Sequence, residues 1–131
     1  MESPRTNPVE VVKAAVAALN RGDIDTVLRL CAEDVTLWAP GPDLVGQQIC
    51  GKDQLRDLLE YAEDRWPDTW TSIDSIMGEG ELVAVEMTMV ASQEGVSLKQ
   101  PMAAFYRVRD GLIVEQRSYY DLRALEQRLG E

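Results

Sequence analysis

Residues 82–91 alternate between apolar and more polar side chains, and this alternation limits what the second half of the chain can form. The apolar positions are Val83, Val85, Met87 and Met89, and the positions between them are Ala84, Glu86 and Thr88. Successive side chains of a β-strand point to opposite faces of the sheet. The segment therefore predicts a strand in a sheet with one buried face and one more polar face.

Glycine-containing turns divide the rest of this half into further strands. The turns are Gly78-Glu79-Gly80, Glu94-Gly95 and Asp110-Gly111. The Asp-Gly pair is the strongest hairpin signal among them. The strands are predicted at 70–77, 82–91, 97–109 and 112–120. Because turns this short join antiparallel neighbours, the pattern predicts an antiparallel meander.

The first half has the spacing of helices instead. The apolar residues at helical spacing are Val9, Val12, Val16 and Leu19. They predict a helix at Pro8–Asn20, because proline suits a first helical turn and Gly22 suits the position after a helix end. Asp23 is then expected to cap a second helix that ends at Asp34. A short strand is predicted at 35–39.

A third helix is predicted from Gly51 to Trp66, where Pro67 stops it. Asp121 is expected to cap a short C-terminal helix at 122–129. Helices followed by a curved antiparallel sheet make an α+β fold. We expect the three helices of the N-terminal half to pack on the concave face of the sheet and to enclose a pocket.

Length and charge narrow the function classes. The chain has 131 residues, so we expect a single domain at 8–131 after a disordered tail at 1–7. There are 13 Lys and Arg against 23 Asp and Glu, a formal net charge of −10. This charge argues against nucleic acid and against anionic membrane surfaces as partners. No apolar run approaches the ~18 residues of a membrane span. We therefore expect a cytoplasmic protein.

The chain contains no histidine. This excludes Ser-His and Cys-His nucleophilic catalysis, a histidine general base and every metal site that uses a histidine ligand. The two cysteines, Cys31 and Cys50, are too few for a disulfide framework and are expected to be reduced. We expect neither a metal nor a cofactor.

Several short segments, taken in order, resemble one known family. They are Ala18–Asp23, Ala32–Val35, Phe105–Gly111, Arg117–Leu122 and Gln127–Gly130. With them the chain resembles the SnoaL-like branch of the nuclear transport factor 2-like superfamily. The resemblance implies a cone-shaped fold, a deep apolar pocket and a homodimer. Members of this family include polyketide cyclases, ketosteroid isomerases, limonene-type epoxide hydrolases, dehydratases and non-catalytic binders.

The catalytic residues of these enzymes do not carry over. The three ketosteroid isomerase positions correspond to Ala15, Ala39 and Ala103. The epoxide hydrolase positions correspond to Leu37, Ala39, Met87, Met89 and Ser118. The cyclases use a histidine–aspartate pair, whose histidine is missing and whose aspartate position also corresponds to Ser118. Acid–base chemistry of these designs is therefore not expected.

Strand parity predicts which residues line the pocket. If Ser118 faces inward, alternation along the same strand also places Gln116 and Tyr120 inward. The resemblance implies that Leu37, Ala39, Met87, Met89, Ala103 and Phe105 join them in the pocket. Met87 and Met89 are also typical of a packed core. Asp43 and Asp121 are the candidate bases, although a helix cap is the simpler role for Asp121. Ser118 and Tyr120 are candidate hydrogen-bond donors to a ligand, with internal hydrogen bonds as the alternative.

Two functions remain open from the sequence. One is a pocket domain that binds a small apolar metabolite without standard catalytic residues. The other is an atypical cofactor-free enzyme of secondary metabolism, acting as a cyclase, isomerase, dehydratase or epoxide hydrolase. The resemblance also implies dimerisation through the outer sheet face, where Glu86, Thr88 and Tyr119 are expected to lie.

Overall fold

The computed structural model describes residues 7–40, 47–93 and 95–121. Its helices are α1 (Pro8–Asn20), α2 (Ile24–Arg29) and α3 (Gly51–Arg65). Its strands are β1 (Cys31–Ala39), β2 (Gln47–Cys50), β3 (Trp70–Glu79), β4 (Leu82–Gln93), β5 (Val96–Arg109) and β6 (Leu112–Tyr119). The described strands form one curved, unclosed sheet that the helices cover on one face, so the expected α+β fold is confirmed. The predicted C-terminal helix and most of the predicted tail lie outside the described residues.

The sheet is mixed rather than wholly antiparallel. Its strand order is β2-β1-β6-β5-β4-β3. Strands β3 to β6 form the predicted meander, but β1 runs parallel to β6. Parallel neighbours need a long crossover rather than a tight turn, and here the crossover includes α3 and four strands, β2 to β5. Alternation within a strand is the same in both orientations, so the sequence pattern could not distinguish them.

Helix α1 begins and ends as its sequence predicts. The side chain of Asn7 accepts a hydrogen bond from the Val9 amide at 3.0 Å, so Asn7 caps the helix rather than ending the tail. At the other end, Gly22 has a φ of +70°. The Gly22 amide donates to the Leu19 carbonyl at 3.0 Å, and the next amide along the chain donates to Ala18 at 2.9 Å. This is a Schellman motif, which glycine allows because it has no Cβ.

Helix α2 is shorter than predicted. Asp23 caps it as expected, since its carboxylate accepts from the Thr26 amide at 3.1 Å. However, the helix ends at Arg29, and Asp34 lies inside β1. The Ile113 amide donates to the Leu30 carbonyl at 2.8 Å, so pairing with β6 ends the helix and starts the strand early. Tertiary pairing here overrides the local capping signal.

The two faces of the sheet differ as the alternation in β4 predicts. Val83, Val85 and Met87 are at most 4% exposed, and α1 packs against them. The residues of β4 that alternate with these three face away from the helices. At the far end of the meander, Asp110 and Gly111 both have positive φ, as a tight hairpin of this type requires. No helix in the described ranges is long and apolar enough to cross a bilayer.

Candidate ligand-binding cavities

Two adjoining cavities lie between the helices and the inner sheet face. The outer cavity, about 330 Å³, is bounded by the end of α1, by α3 and by β3 to β5, with Tyr120 at one side. Its apolar walls include Leu58, Ala62, Trp66, Met89, Ala91 and Met102. The inner cavity, about 110 Å³, is enclosed by α1, α3, β1, β5 and β6. Leu19 and Leu59 line both cavities, so these two side chains lie at the boundary between them.

One polar pair fixes the wall of the outer cavity. The Asn20 amide nitrogen donates to the Thr71 carbonyl at 2.7 Å, and the Asn20 amide oxygen accepts from the Thr71 N–H at 2.8 Å. Both residues line the outer cavity. Because the pair satisfies backbone groups of β3, it holds the end of α1 on the sheet at this point.

The cavities contain little charge. Glu63 is the one acidic residue among the described residues that line them, and its side chain is exposed at the rim. A Cβ built on Gly22 would lie 3.0 Å from the Glu63 Oε1 atom, so this carboxylate rests against the turn after α1. Within the described ranges the buried polar side chains are those of Thr71, Gln100 and Ser118. None of these is a carboxylate, so the described cavity walls hold no buried general base.

The structure brings together part of the predicted pocket. Met89 and Tyr120 line the outer cavity, and Leu37 and Gln116 line the inner one. Ser118 is buried on the same face, where its hydroxyl accepts a hydrogen bond from the Gln116 amide nitrogen at 3.1 Å. This is the internal hydrogen bond that the sequence left as an alternative for Ser118.

Two further residues of the predicted pocket lie outside the walls of both cavities. Met87 is 4% exposed and belongs to the packed core. Ala39 is half-buried at the end of β1 and lies outside both cavity walls.

The placement of Ala103 and Phe105 in the pocket is wrong. Ala103 pairs with Glu86 and Tyr119, and Phe105 is 49% exposed on the outer face. The inward positions of β5 are Met102, Ala104 and Tyr106, one residue away. A shift of one residue moves every side chain to the opposite face. The sequence could have indicated the correct face. Arg107 and Arg109 lie on the same face of β5 as Phe105, and charged side chains mark that face as the solvent-exposed one.

Tyr106 is a polar inner-cavity residue that sequence reasoning missed. It is 5% exposed, and burial raises the pKa of its hydroxyl. Its neighbour Cys31 is 4% exposed, and burial raises the pKa of that thiol to about 11, against a weaker opposing effect of the Lys52 charge. Both groups are therefore protonated at neutral pH, which makes Tyr106 a hydrogen-bond donor and Cys31 a poor nucleophile.

The family of the chain follows from its sequence as well as its shape. Residues 12–116 match the profile of the SnoaL-like domain. The chain belongs to the SnoaL-like domain family. This confirms the resemblance found in the sequence. A search of curated proteins gave no match.

Solved structures share the fold of this SnoaL-like domain. IdmH from Streptomyces antibioticus, a candidate polyketide cyclase, superimposes with a TM-score of 0.81 at 23% identity over 95% of this chain and 99% of IdmH. TerC, co-crystallised with polyporic acid, gives 0.84 at 19% identity over 98% and 100%. An epoxide hydrolase of the LEH-like type from M. tuberculosis gives 0.76 at 23% identity over 93% and 88%. Identities this low establish the fold alone.

The catalytic candidates are not assembled in the described part of this SnoaL-like domain. Asp121 is exposed and does not line either cavity, and Asp43 lies outside the described residues. Ala15, at one ketosteroid isomerase position, forms part of the inner cavity wall. The described residues also contain no group of three side chains suited to holding a metal ion.

Aromatic side chains meet on the outer sheet face, on the side away from the helices. The ring centroids of Trp38 and Tyr119 are 5.3 Å apart, and those of Phe105 and Tyr119 are 5.9 Å apart. The Arg117 Nε atom donates to the Tyr119 hydroxyl at 3.0 Å. We refer to Trp38, Phe105 and Tyr119 as the aromatic patch. Exposed apolar clusters of this kind are typical of interaction surfaces.

Proposed function

We propose that this SnoaL-like domain binds one small apolar molecule, whose body occupies the outer cavity, without standard acid–base chemistry. The observation that carries the proposal is a cavity of about 330 Å³ with apolar walls and no buried carboxylate in the described residues. This volume is at the lower end of small-molecule pockets, which begin near about 300 Å³. It suits a molecule of one or two rings.

Apolar walls and few polar groups set the chemistry of the ligand. The amide nitrogen and the amide oxygen of Asn20 both form hydrogen bonds with Thr71, so Asn20 has little remaining hydrogen-bonding capacity for a ligand. An anionic ligand would have to give up its hydration without gaining an opposite charge from the described walls. A neutral, mostly hydrocarbon molecule gains from burial at about 25 cal/mol per Å² of apolar surface.

The alternative is an atypical cofactor-free cyclase, isomerase, dehydratase or epoxide hydrolase. The named cyclase and hydrolase among its structural relatives favour it. Positioning alone can lower a barrier by up to about 7–11 kcal/mol, and Tyr120 or Ser118 would donate a hydrogen bond to a developing oxyanion. Asp43 or Asp121 would be the base. Unchanged turnover in Asp43→Asn and in Asp121→Asn would remove that base from the account.

Filling the outer cavity tests binding directly. Ala91 is 2% exposed and lines this cavity, so Ala91→Leu places three more carbon atoms in the space for the ligand. We expect 2-isopropylnaphthalene, an apolar two-ring probe, to bind the parent and to lose about tenfold or more in affinity to this variant. Ala17→Leu, on the exposed side of α1, is the matched control. Equal binding by parent and Ala91→Leu would contradict the proposal.

We also propose that the domain forms a homodimer through the outer sheet face. The aromatic patch supports this, because Phe105 is 49% and Tyr119 38% exposed in the single chain. Met77 and Trp70 extend the exposed apolar surface across β3 on the same face. A second copy of the chain offers the same surface, as a twofold interface requires.

A further inference from the structure

The hydroxyl group of Tyr106 has no partner in the described part of the chain. None of the hydrogen bonds there includes it, whereas every fully enclosed side-chain nitrogen or oxygen in the same ranges has a partner. The hydroxyl therefore opens onto the inner cavity, which Tyr106 lines. Register places Tyr106 opposite Gln116 on β6 and Val83 on β4, with its side chain on the helix-covered face.

The surroundings of this hydroxyl favour a neutral acceptor. Among the described residues that line the inner cavity none is charged, and most are aliphatic. The Gln116 amide nitrogen is already engaged with Ser118. Burial raises the pKa of Tyr106, so the hydroxyl keeps its proton and can donate a hydrogen bond. An anion would find no opposite charge there, while a carbonyl oxygen needs one donor.

We propose that the inner cavity is the subsite for a carbonyl-bearing end group of the ligand, whose oxygen accepts a hydrogen bond from Tyr106. The inference rests on the proposed function, since it states which end of the apolar ligand enters first. An engineered cavity of roughly 150 Å³ holds one benzene ring. The inner cavity, at about 110 Å³, is smaller, so it suits an acetyl-sized group rather than a ring. The ligand class is therefore an apolar ketone with its ring system in the outer cavity.

A pair of probes separates the hydrogen bond from apolar burial. 2-Acetylnaphthalene carries the carbonyl, and 2-isopropylnaphthalene has a similar shape without the oxygen. We expect Tyr106→Phe to weaken the binding of 2-acetylnaphthalene by about 3- to 10-fold relative to that of 2-isopropylnaphthalene. This is the range for the loss of one net hydrogen bond. Tyr61→Phe removes a hydroxyl from an exposed tyrosine and is the matched control, which keeps the parent ratio.

The carbonyl stretching band of 13C-labelled 2-acetylnaphthalene gives a second readout. We expect the bound band to lie at lower frequency in the parent than in Tyr106→Phe, and circular dichroism to show that the variant is folded. If both probes bind but the ratio and the band do not change, the inference is overturned and the proposed function stands. If neither probe binds the parent, the proposed function is wrong and the inference falls with it.

Discussion

Asn20 and Thr71 exchange two hydrogen bonds, at 2.7 and 2.8 Å, between the last residue of α1 and the second residue of β3. Neither bond is part of a helix or of a strand ladder. They tie the C-terminal end of α1 to the sheet where the outer cavity opens. The shape of the cavity therefore depends on one side-chain amide.

Replacing Asn20 should weaken both the fold and the cavity. Asn20→Ala leaves two backbone groups of Thr71 without partners, so we expect a loss of about 1–3 kcal/mol in the free energy of unfolding. Urea denaturation followed by circular dichroism measures it. Asn7→Ala removes only the N-terminal cap of α1 and should cost about 1 kcal/mol. Only Asn20→Ala should also weaken binding of 2-isopropylnaphthalene; equal effects of the two variants on binding would contradict this account.

Gly78 allows α1 to approach β3 closely. A Cβ on residue 78 would lie 2.7 Å from the Cγ2 atom of Val9. We expect Gly78→Ala to cost about 1–3 kcal/mol through overpacking. In a double-mutant cycle with Val9→Ala, the double variant should lose less stability than the sum of the two single variants. Strictly additive losses would show that the two positions do not contact each other.

Cys31 should give stability a pH dependence. Its thiol has a pKa of about 11 in the folded protein, against 9.0 as the ordinary value, because burial disfavours the thiolate. The contribution of this buried thiol to the free energy of unfolding is fully present below about pH 9. It decreases by about 1–3 kcal/mol as the pH rises through about 11. The difference in unfolding free energy between the parent and Cys31→Ala should narrow over this window. Cys50 is exposed, and Cys50→Ala is the control for replacing a cysteine outside the core.

The aromatic patch should hold the proposed dimer. Phe105→Lys places a charge at the centre of the outer face and should give a monomer in sedimentation velocity experiments. Burying that charge without a partner would cost several kcal/mol. Tyr61→Lys changes an aromatic residue that is 61% exposed on α3, and it should remain dimeric. A dimer that persists in Phe105→Lys would place the interface elsewhere.

The sequence predicted the elements that depend on local chemistry. The caps at Asn20–Asp23 and the Asp110-Gly111 hairpin are short-range patterns, and the structure confirms both. The two faces of β4 followed from strict alternation. The predicted end of α2 was wrong because Leu30 pairs with Ile113, which is far away in sequence, and this pairing starts β1 early. Strand β2 was missed because only four residues form it, and its pairing with β1 is tertiary.

The candidate site was harder to predict because it depends on parity. Four of the predicted residues, Met89, Tyr120, Leu37 and Gln116, line the two cavities. The family positions carried onto β5 shifted the predicted inward face by one residue. Phe105 was therefore predicted to line the pocket in place of Tyr106. The charged alternation at Arg107 and Arg109 was the better guide, because charged side chains avoid a buried face.

Occupancy of the cavities is the central claim, and native mass spectrometry tests it most directly. We expect one small molecule per chain in the freshly purified protein, lost on denaturation, or one molecule of added 2-isopropylnaphthalene in its place. Ala91→Leu should bind neither, while Ala17→Leu should behave as the parent. A parent chain that retains no molecule and takes up no naphthalene would contradict the account.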